Sequence, residues 1–417
     1  MENYRPQAFA VKVGRGPELR SRVRTYVVGV GVTDFQRPGA ASGGYPELAR
    51  QAGTQALADA GIPYHLVEYA CASYVFGESC SGHRAMYELG LTGIPITEVS
   101  SNCSSGSSAL YLASLLVRGG SFDCALAIGF ETMPRGPLQV GGADREPPTQ
   151  RHFDVLPNGR SSDAIPAALM FGTAANEHMA RYGTTVEQFA RIAEKNYRHA
   201  VANPRALARR AHTLPEILDS APLYGPITKL QCAPGADGAA AVVLASERFV
   251  EQRGLADRAV EMAAQSMVTD TVASFAGSAV DVVGYRMASR AARAVYDDLG
   301  VGPDGIQVVE VHDCFSSNEL LAYEALGLCP PGEGGRLIDD GQVTYGGKWV
   351  VNPSGGLLAR GHPLGATGLA QCVELTSQLR AEAGARQVAG AEIALQHNNG
   401  IGGNVVVTAY RAPAASV

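Results

Sequence analysis

From residue 25 onward, short apolar runs alternate with stretches whose apolar positions recur every three or four residues. Residues 26–32, Tyr-Val-Val-Gly-Val-Gly-Val, predict a short buried strand ending in glycines. Leu48, Ala52, Ala56, Leu57 and Ala60 then share one helical face over 45–60, and Gly61-Ile-Pro stops that helix. Strands are expected at 67–77 and 123–130, with a helix over 104–118 between them. This alternation implies an α/β layered architecture. The stretch 131–230 breaks the pattern. It carries prolines at 134, 137, 147, 148, 157 and 166, then charged helical stretches near 173–181 and 186–200. It reads as an insertion, after which the strand signal returns at Gly238-Ala-Ala-Ala-Val-Val-Leu-Ala.

A second block follows the same plan. Strands are expected at 258–268 and 306–311, helices at 286–299 and 363–380, and closing strands at 391–396 and 404–410. The two blocks look like a weak internal duplication rather than a short-period repeat. The expected division is an N-terminal extension (1–20), a first half (21–130, completed by 231–255), the insertion (131–230) and a second half (256–417). Under it, Cys103 and His362 occupy matching places, each where a buried helix begins.

Composition narrows the function. Apolar residues make up 46% and charged residues 18% of the 417, enough for a large core and unlike a disordered chain. A net charge of -6 argues against nucleic-acid binding. No run approaches the roughly 20 apolar residues of a membrane span. Residues 1–24 lack the apolar centre of a secretory signal, and the end is no peroxisomal address, so a cytoplasmic protein is expected. The eight cysteines form no Cys-x-x-Cys pair. All but Cys103 and Cys314 read as small buried hydrophobes.

Four segments carry chemistry-bearing residues. In Ser101-Asn-Cys-Ser-Ser-Gly-Ser-Ser, Cys103 stands at a helix start, where the helix dipole would lower its thiol pKa. The alternative is a cysteine in a small-residue packing patch. In Asn352-Pro-Ser-Gly-Gly-Leu-Leu-Ala-Arg-Gly-His-Pro-Leu-Gly-Ala-Thr-Gly, glycines and prolines fix the direction of His362 and leave room for an extended ligand, the alternative being a loop histidine that only caps a backbone group. In Glu310-Val-His-Asp-Cys-Phe, His312 and Cys314 follow a strand and can face one pocket. Both exchange protons near neutral pH. A metal site is the rival there, without neighbours to complete a ligand set. In His397-Asn-Asn-Gly-Ile-Gly-Gly-Asn, glycine-rich backbone offers either N–H groups for an oxyanion or a tight hairpin turn. His178 and Arg181 read as surface helix charge, the alternative being a place near a coenzyme path.

Together and in this order, these segments resemble the thiolase superfamily, most closely its SCP2-thiolase (sterol carrier protein x thiolase-like) branch. The resemblance runs from about 25 to 411 and rests on Asn102-Cys103-Ser-Ser-Gly-Ser, His312-Asp-Cys-Phe315, Gly361-His-Pro-Leu-Gly-Ala-Thr-Gly368 and His397-Asn-Asn-Gly400. It implies a five-layered αβαβα fold of two similar halves with an inserted loop domain. It implies reversible Claisen chemistry on 3-oxoacyl-CoA, with linear, 2-methyl-branched or sterol-derived chains. Cys103 would attack the keto carbon and carry the acyl group to a second CoA. His362 would take the thiol proton and polarise the acyl oxygen. This chain reads Asn398-Asn-Gly where common thiolases have a second cysteine, so Cys314 would supply the proton. His312 would hold a water or the thioester oxygen, and the N–H groups of Cys103 and Gly400 a second oxyanion, with Asn398 in support. Coenzyme A would be a co-substrate, with no resident cofactor or metal, and the chain would form a homodimer. The lipid-carrier domain that follows in some relatives is not expected here. Rival readings are a decarboxylating ketosynthase, a retro-aldolase acting with a partner protein, and a non-catalytic subunit that binds acyl-CoA.

Overall fold

Strands buried on both faces, such as Cys124–Glu131 and Gly238–Ser246 with every residue buried, build two equivalent half-sheets covered by helices on both faces. The computed structural model describes residues 23–135, 146–157, 159 and 164–413. The N-terminal extension and Pro137 lie outside the described residues. The first half runs β1 (Thr25–Val32), α1 (Gly44–Ala60), β2 (Tyr69–Ser73), α2 (Ser81–Met86), β3 (Ile96–Val99), α3 (Ser105–Arg118) and β4 (Cys124–Glu131). Next come α4 (Gln150–Asp154), α5 (Pro166–Tyr182), α6 (Val186–Ala200), α7 (Leu214–Leu218) and the small pair β5 (Pro222–Tyr224) and β6 (Ile227–Thr228). Then follow β7 (Gly238–Ser246), α8 (Glu247–Arg253), β8 (Val260–Thr269), α9 (Ala279–Val282), α10 (Tyr285–Leu299), β9 (Val308–Glu310), α11 (Ser316–Ala325) and α12 (Gly334–Asp339). The chain closes with β10 (Val350–Val351), α13 (Gly356–Arg360), α14 (Thr367–Leu379), β11 (Ile393–Gly400) and β12 (Asn404–Arg411).

Ten strands join in the order β10-β9-β11-β12-β8-β1-β7-β4-β2-β3. The midpoint is the β1–β8 junction, where Tyr26 pairs with Glu261 and Val27 with Val260. On either side the order is third, second, fourth, fifth, first strand of that half. The third, second and fourth strands pair in parallel, and the fourth, fifth and first antiparallel. The duplication expected from sequence is therefore present as repeated topology.

Alternate residues of each strand face different layers. Leu126, Ile128 and Phe130 pack with Leu48, Ala52 and Ala56 of α1. Their neighbours Ala125 and Ala127 face inward, joining Ala109 and Ala113 of α3 and Leu369 and Val373 of α14. Val308 and Ala394 of the second half-sheet close that central layer from the other side. Val309, Leu395 and Val407 face outward onto Ala291 and Val295 of α10 and Leu320 of α11. The result is five layers, with α3 and α14 in the middle. Small residues let the middle layer close. A Cβ on Gly129 would stand 2.2 Å from the carbonyl oxygen of Gly365. Gly129→Ala is expected to lower unfolding stability by about 1–3 kcal/mol through overpacking, read as a shift in urea midpoint at unchanged slope.

Buried charge pins α6 to the second half. Lys195 Nζ lies 2.6 Å from Glu319 and also donates to the Val351 carbonyl. Asn196 donates to Glu319 and to Asp313. The Asp313 carboxylate accepts the backbone N–H groups of Leu357 (2.7 Å) and Leu358 (3.2 Å) at the start of α13. The segment around His312 and Cys314 is thus tied to the short helix that leads into His362.

Several elements differ from expectation, and three of them bear on the site. The strand expected over 67–77 ends at Ser73, because the N–H groups of Val75 and Phe76 are taken by the Glu131 carboxylate at 3.0 and 2.9 Å. The strand expected to end at 396 continues to Gly400, paired with Asn404, and the turn lies at 401–403. Helix α11 was not foreseen. All ten of its residues are buried, so it has no polar face to set a helical period.

Candidate active site

Cys103 sits between β3 and α3. Asn102 before it adopts a left-handed backbone (φ 52°), a conformation Asn tolerates better than most residues. The Asn102 amide donates to the carbonyl of Ile401 at 3.0 Å, which ties this turn to the β11–β12 hairpin. Gly400 packs against the same turn, since a Cβ there would lie 2.4 Å from both Ser101 O and Ser104 Oγ. The helix start does not depress the thiol as expected. Burial pushes Cys103 up to about 12, and the N–H groups of Cys103 and Ile401 offset this only in part. Desolvation outweighs the dipole, so the resting group is a thiol that needs a base.

His362 supplies a suitable one. Its backbone N–H bonds Pro234 O at 3.0 Å. Its Nδ1 lies 2.7 Å from Thr367 Oγ1, and that hydroxyl donates its only hydrogen to Pro363 O at 2.9 Å. The ring must therefore donate from Nδ1, which leaves the Nε2 lone pair free. Nε2 is buried and has no hydrogen-bond partner among the described residues. Burial, aided by the Arg360 charge, lowers the His362 pKa to about 3, so the ring is neutral at working pH. The Cys103 sulfur and one ring nitrogen each from His312 and His362 all lie within 4.8 Å of one another. The two imidazoles stand edge to face, centroids 5.2 Å apart.

His312 has the opposite tautomer. Asn398 Nδ2 donates to its Nδ1 at 3.0 Å and to the Cys103 carbonyl at 3.2 Å. His312 Nε2 therefore carries the hydrogen and is a donor. Burial, then the neighbouring His362 and His397, hold its pKa well below the usual value. Cys314 is buried, and its thiol is pushed up by burial and then by the Cys103 and Cys232 thiols beside it. One neutral base and two protonated thiols thus line a single space, with the neutral donor His312 beside the base.

That space is a cavity of about 860 Å³. Cys103, Cys314 and His362 line it, and Phe76, Phe153, Leu169, Met170 and Leu364 make much of its apolar wall. Three of these residues belong to the insertion, Phe153 from α4 and Leu169 and Met170 from the N-terminal turns of α5. Three sequence readings are corrected here. His178 is not surface charge; it is buried, with Nε2 3.0 Å from Glu324 and Nδ1 2.8 Å from Thr184. It lines a different groove, together with the exposed Arg181. Cys80 is exposed, and the half-buried Cys232 lines the active cavity, so neither is an inert core cysteine. A ligand set does gather around His312, made of residues 103 and 362 rather than of Cys314. Asn398, Thr367 and Glu131 set the geometry, and no local spacing marks them as doing so.

The thiol state gives a direct expectation. Cys103 alkylation by iodoacetamide in the free protein is expected to rise about tenfold per pH unit from pH 7 to beyond 9, without levelling near an ordinary thiol value. A plateau below pH 9, by peptide mass spectrometry, would show a pre-formed thiolate instead.

Residues 25–220 match the family model for the thiolase N-terminal domain, and residues 266–409 match that of a thiolase C-terminal domain-like unit. Sterol carrier protein 2 of Bos taurus is 55% identical over 396 residues, covering 94% of this chain and 73% of the relative. The chain belongs to the thiolase family. The thiolase-family relatives include an acetyl-CoA acetyltransferase of Methanothermobacter thermautotrophicus, 36% identical over 388 residues, covering 91% of this chain and 97% of that protein. Among solved structures, an Ltp2-ChsH2(DUF35) aldolase superposes with a TM-score of 0.79 at 21% identity, covering 95% of this chain and 100% of that one. A human mitochondrial 3-ketoacyl-CoA thiolase in complex with CoA gives 0.71 at 17% identity, covering 94% and 99%. These two likenesses show the thiolase fold alone.

Proposed function

We propose that this chain is a CoA-dependent thiolase that cleaves or forms 3-oxoacyl-CoA through an acyl group on Cys103. The observation that carries the reading is the pairing of a protonated Cys103 with a neutral His362 whose unpartnered Nε2 has its lone pair free. His362 takes the thiol proton as sulfur attacks the keto carbon, so no charge is separated beforehand. The carbon–carbon bond breaks and the leaving thioester becomes an enolate. The His312 Nε2 hydrogen stabilises the enolate oxygen, and Cys314 protonates its carbon. The acyl group then passes to the sulfur of a second CoA, whose thiol proton restores the Cys314 thiol, while His362 gives its proton back to the departing Cys103 sulfur. The N–H groups of Cys103 and Gly400 hold the other oxyanion. Coenzyme A as co-substrate is supported by the CoA-bound thiolase of the same fold.

The apolar cavity favours a substituted or bulky acyl chain, of the 2-methyl-branched or sterol-derived kind, over acetoacetyl units alone. The family resemblance adds a homodimer. Among the described residues, no helix is long and apolar enough to cross a membrane. The Cys-His-His grouping also suits a decarboxylating condensing enzyme, but such an enzyme has no use for the second thiol, Cys314. The test is turnover. Incubation of a 3-oxoacyl-CoA with CoA is expected to yield two shorter acyl-CoA products. Carbon dioxide release from malonyl-CoA, or cleavage of a 3-hydroxyacyl thioester without CoA consumption, would replace this reading with the ketosynthase or the retro-aldolase.

A further inference from the structure

We propose that the substrate-free site also binds one thiophilic divalent cation, zinc being the type, through Cys103, His362 and His312. The cation would act as a reversible inhibitor. Three soft or borderline ligand atoms already lie within 4.8 Å of one another, all on buried residues beside the cavity. Zinc bonds of about 2.3 Å to sulfur and 2.0–2.1 Å to nitrogen place tetrahedral ligand atoms about 3.3–3.6 Å apart. Metal binding would close the remaining gap by drawing these side chains together. The cavity supplies both an entry path and space for a water as the fourth ligand.

His362 is ready as it stands, because Thr367 fixes its hydrogen on Nδ1 and Nε2 has no partner. Thr367 then acts as the outer-shell group that orients a metal-bound imidazole. Cys103 binds as thiolate: the metal–sulfur bond replaces the S–H bond, and one proton leaves to solvent. His312 must move its hydrogen from Nε2 to Nδ1. Asn398 can accept it there by turning its amide, giving up its bond to the Cys103 carbonyl, since its Oδ1 has no partner among the described residues. Zinc undergoes no redox change, so the step needs no further reactant. An acylated Cys103 has no thiolate to offer, so turnover intermediates are protected.

Zinc chloride titrated into the full-length chain is expected to show one site with proton release. X-ray absorption is expected to show one sulfur and two nitrogens, completed by oxygen. Cys103→Ala and His362→Ala should each weaken binding by at least about 100-fold, whereas Cys80→Ser, at an exposed thiol, should not. Wild-type protein gives a second reading that no folding defect can disturb. Zinc should slow iodoacetamide labelling of Cys103 by about 100-fold or more, with Cys80 labelling unchanged and full reversal by a chelator. Absence of binding, a site that survives Cys103→Ala, or equal labelling of Cys103 with and without zinc would overturn the proposal. None of these readings uses turnover, so failure of the thiolase reaction leaves the metal site to be judged separately.

Discussion

His362→Ala is expected to slow acylation of Cys103 by about 10²–10⁴-fold, the size of a lost general base. Burial holds the thiol near 12, so at neutral pH the thiolate fraction without a base is minute. The free Nε2 of His362 is the neutral acceptor the geometry offers the sulfur. The loss should fall on kcat/KM, because the ring does not shape the apolar walls. It should also shrink as pH rises, since hydroxide then removes the proton. Rapid-quench measurement of acyl-enzyme formation between pH 7 and 10 checks both points. A variant that acylates at the native rate would remove His362 from the mechanism.

Cys314→Ala should separate the two half-steps. The variant keeps Cys103 and His362, so it is expected to take an acetyl group from acetyl-CoA at close to the native rate. Carbon–carbon cleavage should then fall by about 10²–10⁴-fold, because the enolate carbon has lost its proton donor. The raised pKa of Cys314 supports this role: a fully protonated thiol is a donor at every working pH. Exchange of α-hydrogens of acetyl-CoA with deuterated water, followed by NMR, should stop in the variant. Native exchange would place the proton transfer elsewhere.

Much of the fold was legible because the duplicated halves repeat strong local signals. Gly61 after Ala60, the small-residue start of α3 and the apolar run of β7 each state their own structure. The site was legible as a set of residues, and less so as a set of states. Helix-start reasoning placed Cys103 correctly but gave its thiol the wrong shift, since burial depends on chain brought in from residues 362–364 and 401. Asn398 could be named as a support, but its double donation to His312 and Cys103 O spans 86 and 295 residues of sequence. Buried polar residues misled most. His178 reads as surface charge until its partner Glu324 is known, and the pairing of Lys195 with Glu319 is visible only in the structure. The ten-residue helix α11 hides polar side chains with internal partners, such as the carboxylate of Glu319, so no solvent-facing stripe betrays it.

Intact-mass analysis of the chain mixed with acetyl-CoA, followed by peptide mapping, tests the central claim most directly. The account predicts one added acetyl group, located on Cys103, removed by free CoA and absent in Cys103→Ala. Acetylation that persists in Cys103→Ala, or native protein that turns over 3-oxoacyl-CoA without ever carrying the group on Cys103, would contradict it.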